Sequence, residues 1–155
     1  MCSSDLPTEK SKKNLLEEGV DSDKIIITGN TVIDALFKAD KIMDENASLR
    51  QGIDESFSDI NFQKKSLLVT GHRRESFGPG FLNICEALKA LAKRNPDMNI
   101  IYPVHLNPNV REPVFEILSE EKNIYLIEPV EYLKFIYLMK KCHLILTDSG
   151  GVDRK

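Results

Sequence analysis

Glycine and proline are scarce, eight and seven residues in a chain of 155, while 41% of the residues are hydrophobic. A collagen-like or disordered chain is thereby excluded, because enough apolar surface is present to offset the entropy of ordering. The length suits one domain's worth of core. Charge of one sign is also missing: 21 Lys and Arg stand against 24 Asp and Glu, a formal net charge of −3. Without a global basic field there is no general hold on a nucleic-acid backbone or an anionic membrane, so neither is expected as a partner and any phosphate chemistry must be local. Long hydrophobic runs are absent too. Stretches such as 124–127 and 135–139 are a few residues long and bracketed by Glu or Lys, too short to span a bilayer. The first residues, Met1-Cys2-Ser3-Ser4-Asp5-Leu6, have neither a basic start nor an apolar core, so no secretory signal is read there and the cytoplasm is the expected location. Cys2, Cys85 and Cys142 are odd in number, far apart and form no CxxC pair, which favours reduced thiols over a disulfide frame or a zinc site.

What is there has the rhythm of an α/β protein. Thr8 is placed to cap a helix that ends before Gly19, and a short strand over 24–28 comes next. Gly29-Asn30 breaks the chain, and Thr31 with Asp34 three residues later predicts a capping-box start to a helix reaching about Met43. The segment 44–65 is polar and predicts a connection with at most a short helix. From Ser66 onward, apolar runs at 66–70, 99–104, 124–127 and 143–147 alternate with segments of helical period. Phe81, Ile84, Leu88 and Leu91 mark one helix, ended by Asn95-Pro96; a second starts at Asn107-Pro108, and 132–142 makes a third. Short, continuously apolar strands between helices read as buried parallel strands. The expected fold class is therefore α/β, a Rossmann-like parallel sheet.

In open parallel sheets ligands collect beyond the carboxyl ends of the strands. The four predicted strands run into Gly71-His72-Arg73-Arg74-Glu75, His105-Leu106-Asn107-Pro108, Glu128-Pro129-Val130 and Asp148-Ser149-Gly150-Gly151. His72 beside Arg73 and Arg74 offers a titratable imidazole next to guanidinium groups suited to phosphate; the bland alternative is a solvated basic loop. Ser149-Gly150-Gly151 would let backbone N–H groups approach a phosphate, or it is simply a tight turn that needs positive φ. His105 is a site residue or a partner of its own turn, with Asn107 capping a helix whose first residue is Pro108. Phe135 sits in a helix apolar on most sides, where it is either core or a ring presented to a bound base.

In this order and spacing, Leu68-Val69-Thr70-Gly71-His72-Arg73-Arg74-Glu75-Ser76-Phe77-Gly78, Tyr102-Pro103-Val104-His105-Leu106-Asn107-Pro108-Asn109-Val110-Arg111 and Thr147-Asp148-Ser149-Gly150-Gly151 closely resemble the non-hydrolysing bacterial UDP-N-acetylglucosamine 2-epimerases. Pro7-Thr8-Glu9-Lys10-Ser11 and Thr28-Gly29-Asn30-Thr31-Val32-Ile33-Asp34-Ala35-Leu36 fit the same family. The resemblance implies part of a glycosyltransferase-B-like fold of two Rossmann-like domains, with the UDP-sugar in the cleft between them. Residues 1–28 would be the last part of the first domain, 29–34 the crossing, and 35–155 the opening part of the second, UDP-binding domain. It implies an isomerase that removes the C2 proton of the sugar as UDP departs, then re-adds UDP after protonation on the other face.

On this resemblance His72 is the catalytic residue on the diphosphate side. Arg73, Val130 through its backbone, Phe135 and the turn Ser149, Gly150 and Gly151 hold UDP, and His105 lies in the motif near which the family binds UDP-N-acetylglucosamine as an activator. No metal and no cofactor is expected, and a homodimer is expected for the full-length enzyme. Two departures stand out: the family's acidic residues that work on the sugar lie in the first domain, and after Ser-Gly-Gly this chain continues only as Val152-Asp153-Arg154-Lys155. Residues 2–6 and 153–155 match what a common sequencing adapter encodes when read in frame, so a native stretch from about Leu6 or Pro7 to Val152 is expected. The truncated chain alone is expected to be inactive. Two other functions fit the same residues, a UDP-sugar-dependent glycosyltransferase of the same fold and a non-catalytic UDP-sugar-binding module.

Overall fold

The computed structural model describes residues 4–71 and 79–147. The chain forms two compact units that divide between Ala47 and Ser48, C-terminal to the 29–34 crossing expected from sequence.

The first unit contains β1 (Ser4–Leu6), α1 (Glu9–Glu17), a 3-10 turn, β2 (Ile25–Ile27) and α2 (Thr31–Glu45), with β1 and β2 paired in parallel, Leu6 opposite Ile27. Thr8 caps α1 as expected, its hydroxyl accepting from Ser11 N at 3.2 Å. Gly19, at φ 84, closes the helix: its N–H donates to Leu16 O and that of Val20 to Leu15 O, each at 3.0 Å. That pair of bonds satisfies carbonyls the helix end would otherwise leave open. The cap of α2 differs by one residue from the sequence reading. Asn30, not Thr31, accepts from the helix, through Oδ1 to Val32 N at 3.2 Å, and Thr31 is the first helical residue. Strand β1 carries no pattern of its own and exists through its pairing with β2.

The second unit comprises α3 (Ala47–Glu55) from its second residue on, β3 (Ser66–Thr70), α4 (Pro79–Arg94), β4 (Asn99–Pro103), α5 (Pro108–Leu118), β5 (Ile124–Ile127), α6 (Tyr132–Lys141) and β6 (Leu144–Thr147). The expected α/β parallel sheet is the one observed: strand order is β5-β4-β3-β6 and every pairing is parallel. Steps from β3 to β4 to β5 go one way and the step to β6 goes back past β3. With right-handed crossovers, α4 and α5 fall on one face and α6 on the other; α4 indeed packs on α5, and α6 on β3. Leu67 and Val69 join Phe81, Cys85, Leu88, Ile100, Tyr102, Val110, Val114 and Leu118 in a core on the first face. Leu68 and Ile101, wholly buried, alternate to the opposite face, which α6 covers with Ile136, Tyr137 and Leu138. That α6 is apolar on most sides is thus explained, since Ile136, Tyr137 and Leu138, three successive residues spread around the helix, are all buried. Strand β6 is different: Leu144, Ile145 and Leu146 are 66%, 43% and 45% exposed. Among the described residues no helix is long and apolar enough to cross a membrane.

Candidate functional site

The sheet order reverses between β3 and β6, where Thr70 pairs with Thr147. Strands β3 and β6 therefore end side by side, at the place where doubly wound sheets take their ligands. His72, Arg73, Ser149, Gly150 and Gly151 lie outside the described residues. A cavity of about 200 Å3 opens at the carboxyl ends of β3, β4 and β5, lined by Val69, Thr70, Pro103, His105, Pro129, Val130 and Phe135.

Three sequence-predicted residues, His105, Val130 and Phe135, therefore share one cavity. Val130 stands two residues before α6 and Phe135 in its first turn and a half, so both positions derive from where β5 hands over to that helix. Val130 and Phe135 are half-buried, which leaves part of each facing the cavity rather than the core. His105 is exposed and is also bound to its own turn: Nδ1 accepts from Asn107 N at 3.1 Å, which puts the proton of the neutral ring on Nε2. Asn107 in turn caps α5 through Asn109 N at 3.0 Å, and Pro108 occupies the first helical position. Both sequence readings of His105, turn partner and site residue, are thus compatible with one placement.

Thr70 and Pro103 were not singled out from sequence, although each is the last residue of a strand, and Pro129 was named only within the segment that follows β5. The two prolines have no N–H, so they bring the ends of β4 and β5 to the cavity without exposing a donor. Tyr102 is the other residue sequence reasoning missed. Its buried hydroxyl donates to Gly71 O at 2.5 Å, tying the end of β3 to β4 immediately before residue 72. A second depression of about 360 Å3 adjoins the cavity, sharing Pro129 and Val130 and bounded by Ser56, Phe57, Ile127, Glu128, Glu131 and Lys134. Among the described residues no group of three His, Cys, Asp or Glu side chains is placed to hold a metal ion.

The apolar wall, with one hydroxyl and one imidazole, suits a flat ring. Its volume is below the roughly 300–1,000 Å3 of a complete small-molecule site, so it fits one part of a larger ligand. The sequence pattern of UDP-N-acetylglucosamine 2-epimerases matches residues 5–154. The chain belongs to the UDP-N-acetylglucosamine 2-epimerase family. The family's enzyme from Campylobacter jejuni is 53% identical over 152 residues and that from Escherichia coli 54% over 150, each match covering 96% of this chain and 40% of the relative. The chain thus spans about 40% of the length of the curated relatives it matches. The crystal structure of the epimerase from Neisseria meningitidis, bound to UDP-GlcNAc, superposes with a TM-score of 0.83 at 48% identity, covering 94% of this chain and 39% of that one.

Proposed function

We propose that this chain supplies the UDP-binding side of an isomerase that interconverts UDP-N-acetylglucosamine and UDP-N-acetylmannosamine by elimination and re-addition of UDP. The observation that carries the reading is the cavity at the ends of β3, β4 and β5, lined together by Val130 and Phe135, the two positions that match uracil contacts in the family. In this reading the base lies against Phe135 and the Val130 backbone. The diphosphate extends toward the β3–β6 switch point, where Ser149, Gly150, Gly151 and Arg73 hold it. His72 hydrogen-bonds or protonates the departing diphosphate; a donor aimed at developing charge acts in the transition state more than in the ground state. His105, at the cavity rim, belongs to the region where a second UDP-N-acetylglucosamine acts as activator.

Residues 1–28 are then the end of a first Rossmann-like domain, 29–34 the crossing, and 35–155 the opening part of the second. The carboxylates that work on C2 of the sugar are supplied by that first domain. A group that abstracts a weakly acidic proton works only when held over it and screened from water, so the 155-residue chain alone binds UDP weakly and does not turn over. The full-length enzyme is a cytoplasmic homodimer in this reading.

Calorimetric titration with UDP and a coupled assay for UDP-N-acetylmannosamine, run on the chain and on the full-length protein that contains it, test the proposal. Turnover by the full-length protein and none by the chain is the expected result. Turnover by the chain overturns the two-domain reading. Transfer of the sugar to an acceptor with C2 unchanged would make the protein a glycosyltransferase, and UDP binding without either reaction a binding module.

A further inference from the structure

The cavity's two uracil-side residues sit on a stretch of chain that is gripped from behind. Tyr137 is two residues from Phe135 on α6, and at about 100° per residue their side chains leave the helix on nearly opposite sides. Phe135 lines the cavity. Tyr137 is buried on the other side, where its hydroxyl donates to Asp54 Oδ1 at 2.5 Å across 83 residues of sequence. The Phe57 ring stacks on Tyr137 with centroids 5.7 Å apart and planes 7° from parallel, and Phe62 meets it edge-on at 5.9 Å. Lys141 Nζ lies 5.4 Å from the same ring centroid, one turn further along α6. Phe57 and Val130, the other uracil-side residue, border the same adjoining depression. Neither Asp54 nor Tyr137 lines the cavity itself.

We infer that Asp54 and Tyr137 are positioning residues for the base-binding cavity: their hydrogen bond, beside the Phe57 and Phe62 rings that pack on Tyr137, holds α6 at the rotation that sets Phe135 against the ligand. The inference rests on the UDP reading given above. Its physical content is that a short helix packed on a sheet can roll about its axis. A directional bond to a buried phenol resists rolling in a way that apolar packing, which is non-directional, does not. Burial and the hydrogen bond from Tyr137 to Asp54 both push the phenol's pKa well above its ordinary value, so the donor keeps its proton throughout the range in which an enzyme works.

The test compares Tyr137→Phe, Asp54→Ala, Asp54→Asn and the double variant Asp54→Ala/Tyr137→Phe in the full-length protein, with uridine, UDP and inorganic pyrophosphate titrated separately. Tyr137→Phe keeps the stacked ring, so it reads the hydrogen bond without emptying the clamp. Loss of one such bond should weaken uridine and UDP about threefold to tenfold, with pyrophosphate binding unchanged because it is held at the strand switch point. Asp54→Asn retains an acceptor oxygen and should stay within about twofold of wild type, and the double variant should be no weaker than the weaker single one, as expected for two ends of one contact. Equal uridine affinity in Tyr137→Phe and wild type overturns the inference. An equal loss for pyrophosphate also overturns it, since the bond would then support the fold and not the base site. If wild type binds pyrophosphate but neither uridine nor UDP, the UDP reading itself fails, and this inference falls with it.

Discussion

The two ends of the four-stranded sheet are built from similar residues and do different things. At the amino ends, polar side chains close on one another. Ser66 N donates to His143 Nδ1 at 3.2 Å and His143 N returns a bond to Ser66 O at 2.8 Å. Asn99 Nδ2 donates to Asn61 O at 2.9 Å, and Asn123 Nδ2 lies 2.9–3.1 Å from the carbonyls of Ala92, Asn95 and Met98. At the carboxyl ends β3 stops at Thr70, β4 at Pro103 and β5 two residues before Pro129, and a cavity remains open there. Histidine appears at both ends, and each ring accepts a backbone N–H through Nδ1; His105 also borders the cavity at the carboxyl ends. The two histidines make the same kind of bond, and what distinguishes them is the end of the sheet at which each lies.

The largest effect expected from this contrast is at the carboxyl ends. In the full-length protein His72→Ala should lower kcat about a hundredfold or more with an unchanged melting profile, as for loss of one transition-state donor; wild-type turnover would remove His72 from the mechanism. At the opposite end Asn123→Ala should do the reverse. It removes the donor that three carbonyls share, costing about 2 kcal/mol and lowering Tm of the chain by about 4–8 °C, while UDP affinity holds. A loss of UDP affinity comparable to that of a cavity variant would break the division between the two ends.

Phe135→Ala supplies that cavity comparison, with UDP binding about tenfold weaker, or roughly 1.4 kcal/mol, read by calorimetry beside the Asn123 variant. Tyr102→Phe sharpens the contrast further, because it lies in the core yet serves the carboxyl end through Gly71 O. About 1 kcal/mol of stability should go with a fall in turnover of the full-length enzyme and little change in uridine affinity. If turnover is unaffected, the bond to Gly71 is purely structural. The smallest effect concerns Cys85 and Cys142, the free thiols among the described residues. Burial pushes each from its usual 9.0 up to about 11, helped at Cys85 by the Glu86 charge. Both favour the protonated folded state, so their contribution is fully present below about pH 9 and is lost as pH rises through about 11. Slow modification by a thiol reagent at pH 7.5 and a fall in Tm between those two values check it.

Where sequence reasoning went astray, the cause is local and specific. Thr31-x-x-Asp34 has the spacing of a capping box, but Asn30 one residue earlier accepts better from the helix, because its Oδ1 reaches Val32 N just after Gly29 turns the chain at φ 78. Three residues, Ser4–Leu6, carry too little pattern to declare a strand, and only Ile25–Ile27 beside them make one. Thr70 and Pro103 are the last residues of β3 and β4, whereas the rule for parallel sheets points to the loops beyond the strands, too late in the chain to mark either as a cavity residue.

The sequence by itself determined the alternation of strands and helices, the caps at Thr8 and Asn107, the stop at Gly19 and the family to which the chain belongs. Those features depend on residues within a few positions of one another, or on ordered motifs that need no third dimension. Only the tertiary structure decided that Thr70, His105, Val130 and Phe135 share one cavity, that Tyr102 ties down Gly71, and that Asp54 grips Tyr137. Each of those contacts depends on which strand lies beside which and on how far α6 has turned about its axis. Strand order and helix rotation are set by packing the two faces of the sheet at once, and no local stretch of sequence carries that information.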